Sequence, residues 1–259
     1  MKPILPVIFL CIAFVSSLKG QEFSYTGKGS LPKIMTTLFN GQWNGSYCVW
    51  KPNYYEKSVW GESFDGMLYT EPDTVMIYRT PTATKLILVT TTRRKETATE
   101  FESFHTSSIG LSIVTFDYDK SKGTLFLIGF EKLAGVNGSW GEPDAVSLRP
   151  FGGDDYFLEI NGGYAQMGVM AEYFALYYLG KEVLWYGTTA NNSGNIPEGE
   201  EGYWGYTTEV TFENQAKIIS LTKKGTEEIF QSDGTSRIQS VNETAKYQLV
   251  NVKLEKLCP

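Results

Sequence analysis

The stretch from Leu111 to Phe130 reads LSIVTFDYDKSKGTLFLIGF, and it decides the fold class. Leu111 to Tyr118 and Thr124 to Phe130 are rich in β-branched and aromatic residues, which suit a pleated backbone. Between them Asp119-Lys120-Ser121-Lys122-Gly123 is a polar tip whose glycine can take positive φ, so the stretch reads as a β-hairpin.

The same pattern extends in both directions. Glu172 to Leu179 pairs naturally with Glu182 to Thr188 across Gly180-Lys181, a glycine-first turn. Further strands are expected at Thr207 to Phe212, Lys217 to Thr222, Thr226 to Gln231 and Lys246 to Leu254, punctuated by Lys224-Gly225 and Asp233-Gly234. Upstream lie Ser46 to Trp50, Met67 to Glu71, Thr74 to Thr80, Lys85 to Arg93 and Thr99 to Phe104, with Val146 to Leu148 and Tyr156 to Ile160 in the middle. About a dozen short strands at this spacing are the signature of an all-β fold, here an antiparallel meander closing as a barrel or a sandwich with little helix. Ala165 to Leu179 also fits a helix face through Met167, Met170, Phe174 and Tyr177, but Gly162, Gly163 and Gly168 favour a strand. Trp-Gly recurs at Trp60, Trp140 and Trp204 at unequal spacing, which gives no fixed-period repeat.

The start of the chain has a different character. Lys2 precedes an apolar run from Ile4 to Val15, too short to span a bilayer, and small residues follow, so residues 1–20 read as a secretory signal. Residues 21–40 read as an N-terminal arm in which Leu31 to Phe39 makes one helical turn or two, and 41–259 as a single all-β domain. Asn191 to Gly202 and Gly135 to Asp144 read as long surface loops. No later segment is apolar enough to cross a membrane as a helix, and the expected location is secreted or extracytoplasmic.

Composition narrows the function classes. Loss of Lys2 and Lys19 with the leader takes 23 basic residues to 21 against 29 acidic, so the net charge goes from −6 to −8 and a nucleic-acid partner is not expected. The 42% hydrophobic and 14% aromatic content is enough to fill a sizeable core. With Cys11 in the leader, Cys48 and Cys258 remain; in an oxidising compartment they can pair as a disulfide, the alternative being two separately buried thiols.

Catalytic signatures are scarce. His105 is the single histidine, so a histidine-based zinc site is excluded, and no Gly-x-Ser-x-Gly turn accompanies it. No metal and no cofactor are expected. Acidic candidates are Asp154 and Asp155 after Gly152-Gly153 and Glu159 on the next strand, where two carboxylates across a cleft could serve a glycosidase and a turn would explain them equally. The aromatic candidates for a ligand surface are Trp60, Trp140, Trp185, Tyr186, Tyr203 and Trp204, because flat rings stack on sugar faces or line apolar cavities. Their alternative role is to fill the core. Glycosylation sequons occur at Asn44, Asn137, Asn191 and Asn242, at expected loops or strand ends.

The segment Leu38-Phe39-Asn40-Gly41-Gln42-Trp43-Asn44-Gly45-Ser46-Tyr47 resembles the Gly-x-Trp entry to the first strand of lipocalins and related calycin barrels. The resemblance carries over only Gly41 and Trp43, as residues that close the barrel, and it implies a binder of a small molecule. The leading expectation is therefore a secreted, non-enzymatic β protein that binds a small apolar ligand. A carbohydrate-binding or carbohydrate-cleaving domain and an extracellular protein-interaction module are the alternatives.

Overall fold

The computed structural model describes residues 20–53, 56, 66–95, 101, 109–137, 144–166, 169–178, 181–191, 196–251 and 253–257. The fold is all-β and antiparallel, as the strand pattern requires. The chain read from sequence as one domain beyond residue 40 clusters into two compact units, 1–142 and 143–259, each with its own sheet. Among the described residues no helix is long and apolar enough to cross a membrane.

The first unit contains β1 (Glu22–Ser24), β2 (Gln42–Asn44), β3 (Tyr47–Trp50), β4 (Leu68–Arg79), β5 (Thr84–Arg93), β6 (Ile109–Asp119) and β7 (Thr124–Asn137). They form one antiparallel sheet in the order β1-β7-β6-β5-β4-β3-β2, curled into a half-barrel. The expected hairpin is β6 with β7, in which Asp119 pairs with Thr124. Asp119 Oδ1 accepts from the Ser121 and Lys122 amides across the tip, and Gly123 takes φ 62°. Met67 to Glu71 and Thr74 to Thr80 are one strand rather than two, with a register shift between Pro72 and Thr74, because proline cannot donate to the ladder and a bulge absorbs it.

Residues 21–40 are built into this sheet. Phe23 of β1 pairs with Leu125 on the β7 edge. α1 (Leu31–Phe39) has Pro32 in its first turn and stops at Asn40, which adopts the left-handed conformation at φ 50°. Its buried residues Leu31, Ile34, Met35, Leu38 and Phe39 fall at the spacing of one helix face. That face packs into a core with Leu86 and Leu88 of β5, Val114 and Phe116 of β6, and Leu125, Leu127 and Phe130 of β7. Phe39 meets Trp50 and Phe130 with ring centroids 5.4 Å from each. Trp50 Nε1 donates to Thr70 Oγ1 at 2.8 Å, and Thr70 and Thr92 share a further 2.8 Å hydrogen bond, so these three polar groups drawn into the core are paired. β5 and β6 are buried on both faces, with Ile87, Val89 and Ile113 opposite the α1 side, which explains their near-continuous apolar sequence.

The Gly-x-Trp segment is positioned differently from the family resemblance. The sheet is an open half-barrel with a three-residue strand, β2, on its edge, and Trp43 lies half-buried there. The tryptophan enclosed by the core is Trp50, 1% exposed, on the next strand inward. Gly41 is nonetheless a close-approach position: a Cβ there would lie 2.6 Å from Val49 O, 2.8 Å from Cys48 Sγ and 2.9 Å from Trp50 Cβ.

The second unit is an eight-stranded meander in sequence order, composed of β8 (Ala145–Pro150), β9 (Tyr156–Gln166), β10 (Val169–Tyr178), β11 (Lys181–Asn191), β12 (Gly205–Glu213), β13 (Ile218–Phe230), β14 (Ser236–Val250) and β15 (Lys253–Leu257). The segment that also fits a helix is strand, β10. β10 pairs with β11 through Tyr178 and Lys181, and β11 joins β12 through only three pairs, Thr189 to Asn191 with Thr207 to Gly205. Its core holds Phe151, Phe157, Phe174, Leu176, Ile219 and Leu221. Two expected boundaries move. Lys224-Gly225 is not a turn but the interior of β13, and β14 begins at Ser236 rather than Lys246 and ends before Asn251 at φ 48°. The expected strand Thr99 to Phe104 lies outside the described residues apart from Phe101, which makes a lone bridge to Lys95.

Cys48 is a free thiol, fully buried, and its Sγ donates to the Met35 carbonyl at 3.5 Å. Among the described residues Cys48 has no disulfide partner; Cys258 lies outside them. Burial pushes the Cys48 thiol from 9.0 up to about 11, with Lys132 acting in the opposite direction.

Two outcomes follow from this packing. Gly41→Ala should cost about 1–3 kcal/mol in urea unfolding by crowding the β3 backbone, whereas Gly29→Ala, with open space around its Cβ, should change stability by less than about 0.5 kcal/mol. Cys48 should resist alkylation at pH 8 in the native protein and react once the protein is denatured, as read by peptide mass analysis. Between pH 9 and about 11 the native state keeps a proton that the unfolded thiol has lost, so stability should fall as pH rises through that window.

Candidate functional site

The aromatic sequence Tyr203-Trp204-Gly205-Tyr206 leads into β12, and the two-residue period of a strand places Trp204 and Tyr206 on one face. Their rings stack at an interplanar angle of 21° with centroids 6.4 Å apart. Tyr206 pairs with Gly225 of β13, where a Cβ would meet Gly205 O at 2.3 Å and the backbone takes φ 135°. Only glycine fits this approach, and that is why it stands in a strand interior. Thr226 Oγ1 accepts from the Gly205 amide at 3.1 Å and fixes the entry to β12.

A cation completes the cluster. Lys223 Nζ lies 4.1 Å from the Tyr206 ring centroid and is ion-paired with Glu227. Tyr203, Trp204 and Tyr206 are all half-buried, so the rings remain partly open to solvent beside the exposed acidic segment Glu198-Gly199-Glu200-Glu201. The arrangement is a stacked aromatic pair with the Lys223 ammonium over the Tyr206 ring and Glu227 paired to that ammonium.

Trp60 and Trp140 lie outside the described residues. Trp185 and Tyr186 occupy β11, in register with Ala175 and Phe174 of β10. A cluster unannounced by the sequence lies in the first unit: Tyr47, Tyr69 and Phe101 meet edge-on or tilted at 5.2–6.4 Å, with Lys95 Nζ 4.6 Å from the Tyr69 centroid. These residues come from separated stretches, and no local motif links them.

The acidic candidates serve as structural ties. Asp155 accepts from the Tyr178 hydroxyl at 2.5 Å and from Lys217 Nζ, joining the β8–β9 turn to β10 and to the β12–β13 turn. Gly152, at φ 81°, presses against the same β12–β13 turn, where a Cβ would lie 2.7 Å from Asn214 O. Glu159 receives both arms of Arg149, at 2.9 and 3.2 Å, together with the Asn161 amide at 3.0 Å. Arg149 in turn lies 5.0 Å from the Phe212 ring centroid. Asp154 is exposed on the turn itself. Chemically, Asp155 and Glu159 are carboxylates fixed by cations, an arrangement that holds turns and strand ends. Burial first, and the Asp155 carboxylate second, raise the Tyr178 hydroxyl above its ordinary pKa.

Two further polar groupings stand out. Asp144 lies over Gly162, where a Cβ would be 2.2 Å from its Oδ1, and it accepts a hydrogen bond from the Tyr173 hydroxyl. An open cleft of about 350 Å³ runs beside it, lined by Asn161, Gly162, Gly163, Glu172 and Tyr173. In the first unit Lys132 pairs with Glu56 at 2.9 Å and sits 3.7 Å from the Trp50 ring centroid; burial lowers its pKa and Glu56 partly restores it. Among the described residues no group of three acids, cysteines or histidines is arranged to hold a metal ion. His105 lies outside the described residues.

The sequons fall at Asn44, exposed at the end of β2, at Asn137 and Asn191, which end β7 and β11, and at Asn242, exposed in the interior of β14. No protein-family model matches the chain, and neither a curated protein nor a solved structure matches it.

Tyr178→Phe removes one hydrogen bond to an ionised carboxylate and should cost about 1.5–3 kcal/mol in urea unfolding without altering the strand content seen by circular dichroism.

Proposed function

We propose that this chain is an extracytoplasmic, non-enzymatic binding protein that receives the flat face of a carbohydrate on the Trp204–Tyr206 stack. The observation that carries this reading is the pair of rings stacked on one strand face and left partly open. A pyranose presents a face of C–H groups that packs on an aromatic plane, and its hydroxyls need donors and acceptors at the rim. Lys223, over the Tyr206 ring, and Glu227, paired with it, supply a donor and an acceptor beside the stack. The use of Asp155 and Glu159 as ties to Lys217 and Arg149 supports binding over cleavage. The signal-like residues 1–20 support export.

A second reading keeps the small apolar or amphipathic ligand and places it in the first unit. Its support is the amphipathic α1 lying on the apolar face of a curled open sheet, which displacement of the helix would expose. The carbohydrate reading is preferred because α1 already covers that face.

A glycan array followed by calorimetric titration tests the choice. Wild type should bind a glycan, Trp204→Ala should weaken that binding at least roughly tenfold, and Ile77→Ala, an exposed change in the first unit, should leave it intact. A silent array overturns the carbohydrate reading. Retention of an apolar molecule in native mass spectrometry would shift support to the α1 site.

A further inference from the structure

β14 has an unpaired flank. Only Lys246 to Val250 pair with β15, while Ser236 to Ala245 pair with β13 on one side and have no strand on the other among the described residues. Most of this ten-residue segment is solvent-exposed, including Ile238 at 40%. A strand edge of this kind presents a row of backbone donors and acceptors that will accept another strand. Proteins usually protect such edges with proline, lysine or a bulge. Ser-Arg-Ile-Gln-Ser-Val-Asn-Glu-Thr-Ala contains neither residue, and its register with β13 runs without a shift.

The charges of the segment indicate what covers it. Antiparallel pairing of the segment with itself about Ser240 sets Arg237 of each copy opposite Glu243 of the other and Ile238 opposite Asn242. Two cross-strand ion pairs then form by symmetry, with no like charges opposed. Arg237 and Glu243 are both exposed, so each is accessible to a second copy. We infer that the free edge of β14 is a dimerisation edge, with two copies of this chain joining through Ser236–Ala245 in the Arg237–Glu243 register to continue the sheet from one molecule to the next. The sequon at Asn242 lies on that segment, and a glycan there obstructs the pairing.

Sedimentation velocity over a concentration series tests the edge, using the chain without its leader and produced in a bacterial host so that Asn242 is unmodified. Wild type should form dimers at low salt. Arg237→Glu and Glu243→Arg should each weaken dimerisation roughly tenfold, and the double swap R237E/E243R should restore it. Circular dichroism on each variant should show the wild-type strand content, since both substituted positions are exposed. A wild type that stays monomeric up to about 100 μM overturns the inference, as does a dimer unchanged by either single variant or a double swap that fails to recover it.

Discussion

A curled antiparallel sheet has a concave apolar face that must be kept from water, and in the first unit α1 meets that requirement. Leu31, Ile34, Met35, Leu38 and Phe39 lie on one side of the helix and pack with side chains from β5, β6 and β7. Everything near them is arranged around that contact. Gly41 lets the chain leave the helix close against β3, Trp50 is held by a hydrogen bond to Thr70, and Lys132 covers the Trp50 ring with Glu56 balancing its charge. The Trp50 indole and the Thr70 and Thr92 hydroxyls carried into the core are paired with one another, because an unpaired polar atom there would cost as much as several methylenes gain.

The second unit is governed by where its turns are tied. Phe151, Phe157 and Phe212 meet at one end of the core, and the turns beside them are fastened by Asp155, Tyr178 and Lys217. Glycine permits the close approaches: Gly152 at the Asn214 carbonyl and Gly225 at the Gly205 carbonyl. The second of these bears on the candidate site, since Gly225 lies opposite Tyr206 in the ladder. The face that carries Val210 and Phe212 against the core continues along β12 to Tyr206 and Trp204. A rigid sheet thereby holds the platform at the end of its own hydrophobic face, which suits a recognition surface.

Much of the secondary structure was legible in the sequence because it depends on period and turn chemistry. The β6–β7 hairpin, the β10–β11 hairpin and the helix at 31–39 all follow from local patterns. The exceptions have local causes too. Gly225 resembles a turn signal until its close neighbour across the ladder is known, and Ser236 to Ala245 lacks alternation because both of its faces are largely open to solvent. The candidate site was half legible: Trp204 stood out by type, whereas Lys223, Glu227 and Gly225 acquire meaning only from the β12–β13 register.

The sequence by itself determined that this chain builds antiparallel strands, that Leu31 to Phe39 forms a short helix, and that a single histidine, His105, is available. Only the tertiary structure decided that Trp50 rather than Trp43 is enclosed, that Glu159 belongs to Arg149 and Asp155 to Tyr178 and Lys217, and that the strands divide into a seven-stranded and an eight-stranded sheet. The reason is register. Trp43 and Trp50 are alike in type, but β3 has a neighbour on each side and β2 lies on the edge, and that difference depends on pairing between distant segments.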